Sequence, residues 1–112
     1  MKADIFEYDS IEYNILIGTN KYENFQLIDN AVDTDIWFHV ENEPSCHVIL
    51  KNDSRIHDIP KQVIKYCAYL CKINSKSKIQ NKSYIMYTQI KNVSKTEIIG
   101  QVNVTTYKVI NV

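Results

Sequence analysis

The 112-residue sequence predicts an α+β domain of two layers, a mostly antiparallel sheet with a Trp/His hairpin and two helices. Several short stretches alternate apolar and polar residues, as strands with one buried face require. Two others repeat apolar residues at three- and four-residue steps behind recognisable helix starts. The resulting order β, α, β, β, α, β, β suits helices packed on an antiparallel sheet.

Ile11, Tyr13, Ile15 and Ile17 alternate with Glu12, Asn14, Leu16 and Gly18, which gives a strand ending at Gly18, preceded by a short strand over Ile5 to Tyr8. Asn20 followed by Glu23 reads as an N-cap with its box, and Tyr22, Phe25 and Ile28 recur at helical spacing, so a helix is expected over about 21–30. Asp58 and Pro60 start the main helix, along which Val63, Ile64, Cys67, Ala68, Leu70 and Cys71 form an apolar stripe up to about Asn74. Its lysines at 61, 65 and 72 fall mostly off that stripe. Tyr84 to Thr88 and Val102 to Val112 alternate as strands, with residues 91–100 as an irregular connection.

Between the helices lies the hairpin. Ile36, Phe38 and Val40 point one way and Asp35, Trp37 and His39 the other, while Cys46, Val48 and Leu50 oppose His47, Ile49 and Lys51. The polar Glu41-Asn42-Glu43-Pro44-Ser45 joins them. Pairing Val40 with Cys46 sets His39 opposite His47 and Trp37 opposite Ile49, and brings the apolar rows onto one face. The other face carries an indole, two imidazoles and a lysine. It reads either as a ligand-facing patch or as a face covered by a second layer, and the patch is favoured because burying two histidines requires partners for them.

Formal charge sums to zero, yet residues 1–50 hold two lysines against ten acids and residues 51–112 hold eleven cations against three. Eight lysines and no acid lie between Ile59 and Thr96, an excess that attracts phosphates unless it is simply a solvated face. The chain is expected to be a single domain over 1–112, large enough to bury roughly 65% of its unfolded surface. Three cysteines without a leader segment suggest a reducing, cytoplasmic setting rather than a disulfide framework, and no apolar run approaches membrane-spanning length.

Catalytic and metal readings find little. Cys67 and Cys71 lie on the stripe that the main helix must bury. Alternation sends Cys46 and His47 to opposite faces, which separates a nucleophile from its base. His39 and His47, with Asp35, fall short of the usual three good zinc ligands. There is no glycine-rich phosphate loop, histidine-glutamate zinc motif or serine elbow, so no enzyme, metal or cofactor is expected. Unpaired bases stack on flat side chains at roughly 1–3 kcal/mol each while lysines follow phosphates. Trp37, His39 and His47 offer the flat groups, and Lys51, Lys76, Lys78 and Lys95 the charge.

Gly18-Thr19-Asn20-Lys21-Tyr22-Glu23-Asn24, Asp35 to Val40 and Ser45 to Leu50 together resemble the NFACT-R domain, as do Ile59-Pro60, Asn74-Ser75 and Val93 to Thr96 before Gly100. The resemblance runs from about Ile11 to the C-terminus and is nearest the stand-alone eukaryotic form without its coiled coil. It implies an RNA-binding module linked to tRNA, the large ribosomal subunit and ribosome-associated quality control. It also implies that Asn20, Asn24, Trp37, His39 and His47 are characteristic positions. The chain departs from many members at Ser45-Cys46, where they have glycine and serine.

The expected function is therefore non-catalytic binding of nucleic acid, RNA (tRNA or rRNA) before DNA, with no membrane partner. A protein-docking role for the Trp37/His39/His47 face is the alternative, and Trp37→Ala is expected to weaken binding without unfolding the domain.

Overall fold

The computed structural model describes residues 1–76 and 81–112. Lys2–Tyr8 (β1) and Ile11–Ile17 (β2) form a hairpin. Its turn residues Asp9 and Ser10 have φ of 54° and 65°, the left-handed pair that a two-residue turn needs to match strand twist. Then follow α1 (Lys21–Asn30), β3 (Ile36–Val40), β4 (Val48–Leu50), a 3₁₀ turn at Ile56–Asp58 and α2 (Lys61–Ile73). The chain ends with β5 (Tyr84–Gln89), a 3₁₀ turn at Ile90–Asn92, β6 (Val93–Lys95), β7 (Val102–Val104) and β8 (Lys108–Asn111).

Among the described residues, six strands form one antiparallel sheet in the order β1-β2-β4-β3-β5-β8, and β6 and β7 form a separate ribbon. The fold is α+β. The hairpin register is the expected one, with Ile36 opposite Leu50, Trp37 opposite Ile49 and Phe38 opposite Val48.

Alternation decides what each face buries. Ile15 and Ile17 of β2, Ile36, Phe38 and Val40 of β3, Val48 and Leu50 of β4 and Ile85 of β5 pack against the stripe of α2, led by Val63, Cys67, Ala68 and Cys71. The opposite face is covered as well. Trp37 and Ile49 pack with Leu27 of α1, Ile90, and Val93 of the ribbon, flanked by Leu16, Met86, Val102 and Val104. A second layer, made of α1 and the β6–β7 ribbon, roofs the indole.

Four further differences separate the structure from the expected elements. In α1 the buried residues are Asn24 and Leu27, with Ile28 packed beside them, whereas Tyr22 is 60% exposed, so the Tyr22/Phe25/Ile28 spacing marks the helix but only partly its buried face. Residues 91–100 are partly regular, because β6 pairs with β7. Val102 to Val112 splits into β7 and β8, since the chain leaves the ribbon and returns to the edge of the main sheet beside β5. Lys72 is buried despite lying in the expected polar set; its ammonium donates to the backbone oxygens of Asn81 and Val112, 3.1 Å each, which satisfies the charge.

Candidate nucleic-acid interface

At the loop end of the β3–β4 hairpin lies a groove of about 900 Å³. Its wall is assembled from distant parts of the chain: Lys2, the turn Thr19 to Asn24 that opens α1, His39, the loop Glu43 to Cys46, the end of α2 from Ile73 to Lys76, and the turn Ile99 to Val102. Three lysines, Lys2, Lys21 and Lys76, line it with one carboxylate, Glu43. The first turn of α1 adds the partial positive charge of a helix N-terminus.

Local chemistry fixes this turn. Asn20 caps α1, its Oδ1 accepting from the backbone N–H groups of Tyr22 and Glu23, both at 3.0 Å. Glu23 reaches back to Thr19 rather than to the cap residue, accepting from its backbone N–H at 2.8 Å and its hydroxyl at 2.5 Å. The N-terminal ammonium 2.7 Å from Glu23, helped by Thr19, holds that carboxyl down at about 2. Asn24 ties the turn to the hairpin, because its Oδ1 accepts the backbone N–H of His47 at 3.2 Å while Gly18 N–H donates to the His47 carbonyl at 2.9 Å. A Cβ on Gly18 would lie 2.1 Å from Asn24 Oδ1, so glycine is required by that close approach. Gly100, at φ +90°, similarly lets its turn rest on Lys21 Cβ.

The aromatic face is not an open stacking platform. Trp37 and His47 are each 1% exposed, which corrects the expectation that both present flat surfaces to a ligand. The physical reason is that their polar atoms find partners inside: Trp37 Nε1–H donates to His47 Nδ1 at 3.1 Å. That bond requires a lone pair on Nδ1, so the His47 proton resides on Nε2. Burial, then the neighbouring His39, pushes the His47 imidazole down to about 3. His39 stacks on Trp37 with centroids 5.4 Å apart and meets His47 edge-on at 5.1 Å. Its Nδ1–H donates to the Val40 carbonyl at 2.6 Å, and burial lowers its pKa from the usual histidine value. Of the three rings, His39 is the one that lines the groove.

The expected lysines separate. Lys76 is exposed on the groove wall. Lys51 is at the opposite end of the hairpin, where the register places it across from Asp35, and its ammonium pairs with that buried carboxylate. Asp35 also accepts the backbone N–H groups of Asn52 at 2.9 Å and Val32 at 3.0 Å, so Lys51 completes a structural ion site. Lys95 binds Asp29 at 2.5 Å and lies 5.3 Å from the Phe25 ring, outside the groove lining. Lys78 lies outside the described residues. Lys61 and Lys65, with Lys108, line a second groove of about 620 Å³ under the edge strand β8. The lysine run therefore divides between the two faces of the sheet.

Sequence reasoning missed Lys2 and Lys21, because both belong to the acidic half of the chain. Lys21 stands within the Gly18 to Asn24 motif, which was the available signal. Lys2 Nζ donates to Asn74 Oδ1 at 2.9 Å, a contact across 72 residues that no local pattern announces. Among the described residues no three His, Cys, Asp or Glu side chains converge as metal ligands, and none of the helices is long and apolar enough to cross a membrane.

Residues 2–106 match the family model described as NFACT protein RNA binding domain. The chain is 42% identical over 91 residues to coiled-coil domain-containing protein 25 of Bos taurus, covering 79% of this chain and 44% of that protein. It is 30% identical over 82 residues to the Rqc2 homolog RqcH of Bacillus subtilis, covering 72% of this chain and 14% of that one. The chain thus spans less than half the length of these relatives. The same fold, at a TM-score of 0.85 and 23% identity, occurs in the C-terminal part of the fibronectin/fibrinogen-binding protein from Streptococcus suis, across all of this chain and 45% of that one. With the family model spanning nearly every residue from β1 to β7, the chain belongs to the NFACT protein RNA binding domain family.

Proposed function

We propose that this domain binds RNA, tRNA or ribosomal RNA, in the groove at the hairpin loop, without catalysis, in a cytoplasmic ribosome-quality-control setting. The observation that supports this best is the convergence of Lys2, Lys21 and Lys76 with the N-terminus of α1 around His39. Phosphates follow the lysines and the helix N-terminus, where the helix dipole favours anions. An unpaired base has the His39 ring as its flat neighbour. Trp37 and His47 act from behind, holding that ring in place by stacking and by their mutual hydrogen bond.

Family membership supports RNA as the ligand class, and the RqcH relationship favours the ribosomal context. The measurement is a titration with unmodified tRNA at several salt concentrations. Log affinity is expected to fall with log salt with a slope of about −2, since three lysines each release roughly 0.7 of a counterion from single-stranded RNA. A flat response, or no binding at low salt, overturns the reading.

A further inference from the structure

Two cysteines meet behind the groove. Cys46 lies in the segment that leads into β4 and is half-buried at the groove wall, whereas Cys71 is fully buried in the last turn of α2. Cys46 Sγ is 3.5 Å from the Cys71 carbonyl oxygen, and Cys71 Sγ is 3.7 Å from the Cys46 carbonyl oxygen. Each sulfur therefore rests against the other residue's backbone. The two thiols also hydrogen-bond to each other, which brings the sulfurs side by side as a disulfide requires.

Two hydroxyls complete the cluster. Ser75 Oγ lies 3.4 Å from Cys46 Sγ and also accepts the Cys46 backbone N–H at 3.1 Å. Ser45 Oγ lies 3.4 Å from Cys71 Sγ and 3.1 Å from Ser75 Oγ. A thiolate forming on Cys46 would have the Cys71 thiol and the Ser75 hydroxyl to turn protons toward it. The Cys71 thiol hydrogen bond, then Ser75 and the nearby Lys2 charge, outweigh burial and bring the Cys46 thiol down to about 7. Cys71 moves the other way, pushed well up by its bond to Cys46 and by burial. An accessible acidic thiol in front of a protonated buried one is the arrangement of an attacking and a resolving cysteine.

We propose that Cys46 and Cys71 form a modification site for hydroperoxides, closing to a disulfide that fastens the Pro44–His47 segment to the end of α2. The Cys46 thiolate attacks the outer peroxide oxygen. An S–O bond forms, the O–O bond breaks, and the departing alkoxide or hydroxide leaves as alcohol or water after taking a proton from solvent. Cys46 is then a sulfenic acid. Cys71 sulfur attacks the oxidised sulfur, the S–S bond replaces the S–O bond, and hydroxide leaves as water with the Cys71 proton. Two thiols are oxidised by one peroxide, which is reduced to alcohol and water. The third cysteine, Cys67, is excluded because it is fully buried one turn earlier in α2, among the core residues, with its thiol pushed up by burial. The site does not depend on what the groove binds.

The test exposes the whole chain to dilute hydrogen peroxide and reads intact mass and a non-reducing peptide map. A monomer lighter by two hydrogens, bridged from Cys46 to Cys71 and restored by dithiothreitol, is expected, and Cys67→Ser should give the same bridge. Cys71→Ser should abolish the bridge and leave a sulfenic acid on Cys46 that dimedone captures. If that variant fails to fold, the maps of the unsubstituted chain and of Cys67→Ser decide alone. Peroxide leaving all three thiols intact, over-oxidation of Cys46 without a bridge, or a bridge through Cys67 overturns the proposal.

Discussion

The two faces of the central sheet are built on different chemistry. The face under α2 is aliphatic and aromatic throughout, from Ile15 to Ile85, and one amphipathic helix covers it. The face under α1 and the ribbon mixes Trp37, Ile49 and Leu27 with His47 and Asn24, all buried. No buried side-chain nitrogen or oxygen among the described residues lacks a partner, so these polar groups are satisfied rather than tolerated. The difference bears on where the proposed site is anchored. Both faces supply packing, and the mixed face also uses its polar atoms to tie α1 and the hairpin into the groove wall beside His39.

If the mixed face were only a loose cover, Trp37→Ala would cost far less than Phe38→Ala. Both rings are essentially inaccessible, so we expect each substitution to cost about 3–5 kcal/mol in urea unfolding. This replaces the expectation that Trp37→Ala spares the fold. Next in size is Asn24→Ala, which leaves the His47 backbone N–H without its acceptor and should cost about 1–3 kcal/mol, with lost protection of that amide in hydrogen exchange.

Acid should distinguish the faces further. His47 binds a proton more readily unfolded, near 6.5, than folded, near 3, so its contribution is complete above pH 6.5 and shrinks as pH falls toward 3. Stability should drop by about 1.4 kcal/mol per pH unit across that window from this residue alone. His47→Asn retains an acceptor for the indole and should flatten the slope by that amount; an unchanged slope would show that the imidazole is not held neutral. The smallest effect is expected at Asn20→Ala, about 1 kcal/mol from the lost cap, with the far face undisturbed.

Much of the fold was legible because it rests on local rules. The Asn20 cap, the bounds of α1 and the register of β3 on β4 all follow from residue type and alternation. The roof over Trp37 was not legible, for two physical reasons. Its ribbon consists of three-residue strands, too short to show alternation, and α1 buries Asn24 beside Leu27, which turns its buried face away from Tyr22 while Ile28 still packs against the cluster. The site was legible in part. Asn20, Asn24, His39 and Lys76 meet at the groove, but Lys51 was spent on Asp35 and Lys95 on Asp29. Net charge along a sequence does not reveal such pairings, nor the side of the sheet on which a lysine emerges.

The two grooves therefore provide the sharpest comparison. Lys2, Lys21 and Lys76 line the one at the hairpin loop, and Lys61, Lys65 and Lys108 line the one under β8. Replacing each trio by glutamine in separate proteins and titrating tRNA against salt isolates their roles. Loss of most of the salt slope, about 2 in log–log units, in the first trio with near-normal binding in the second is the expected result. Binding that survives the first trio, or falls equally or further in the second, would contradict placement of the RNA at the hairpin loop.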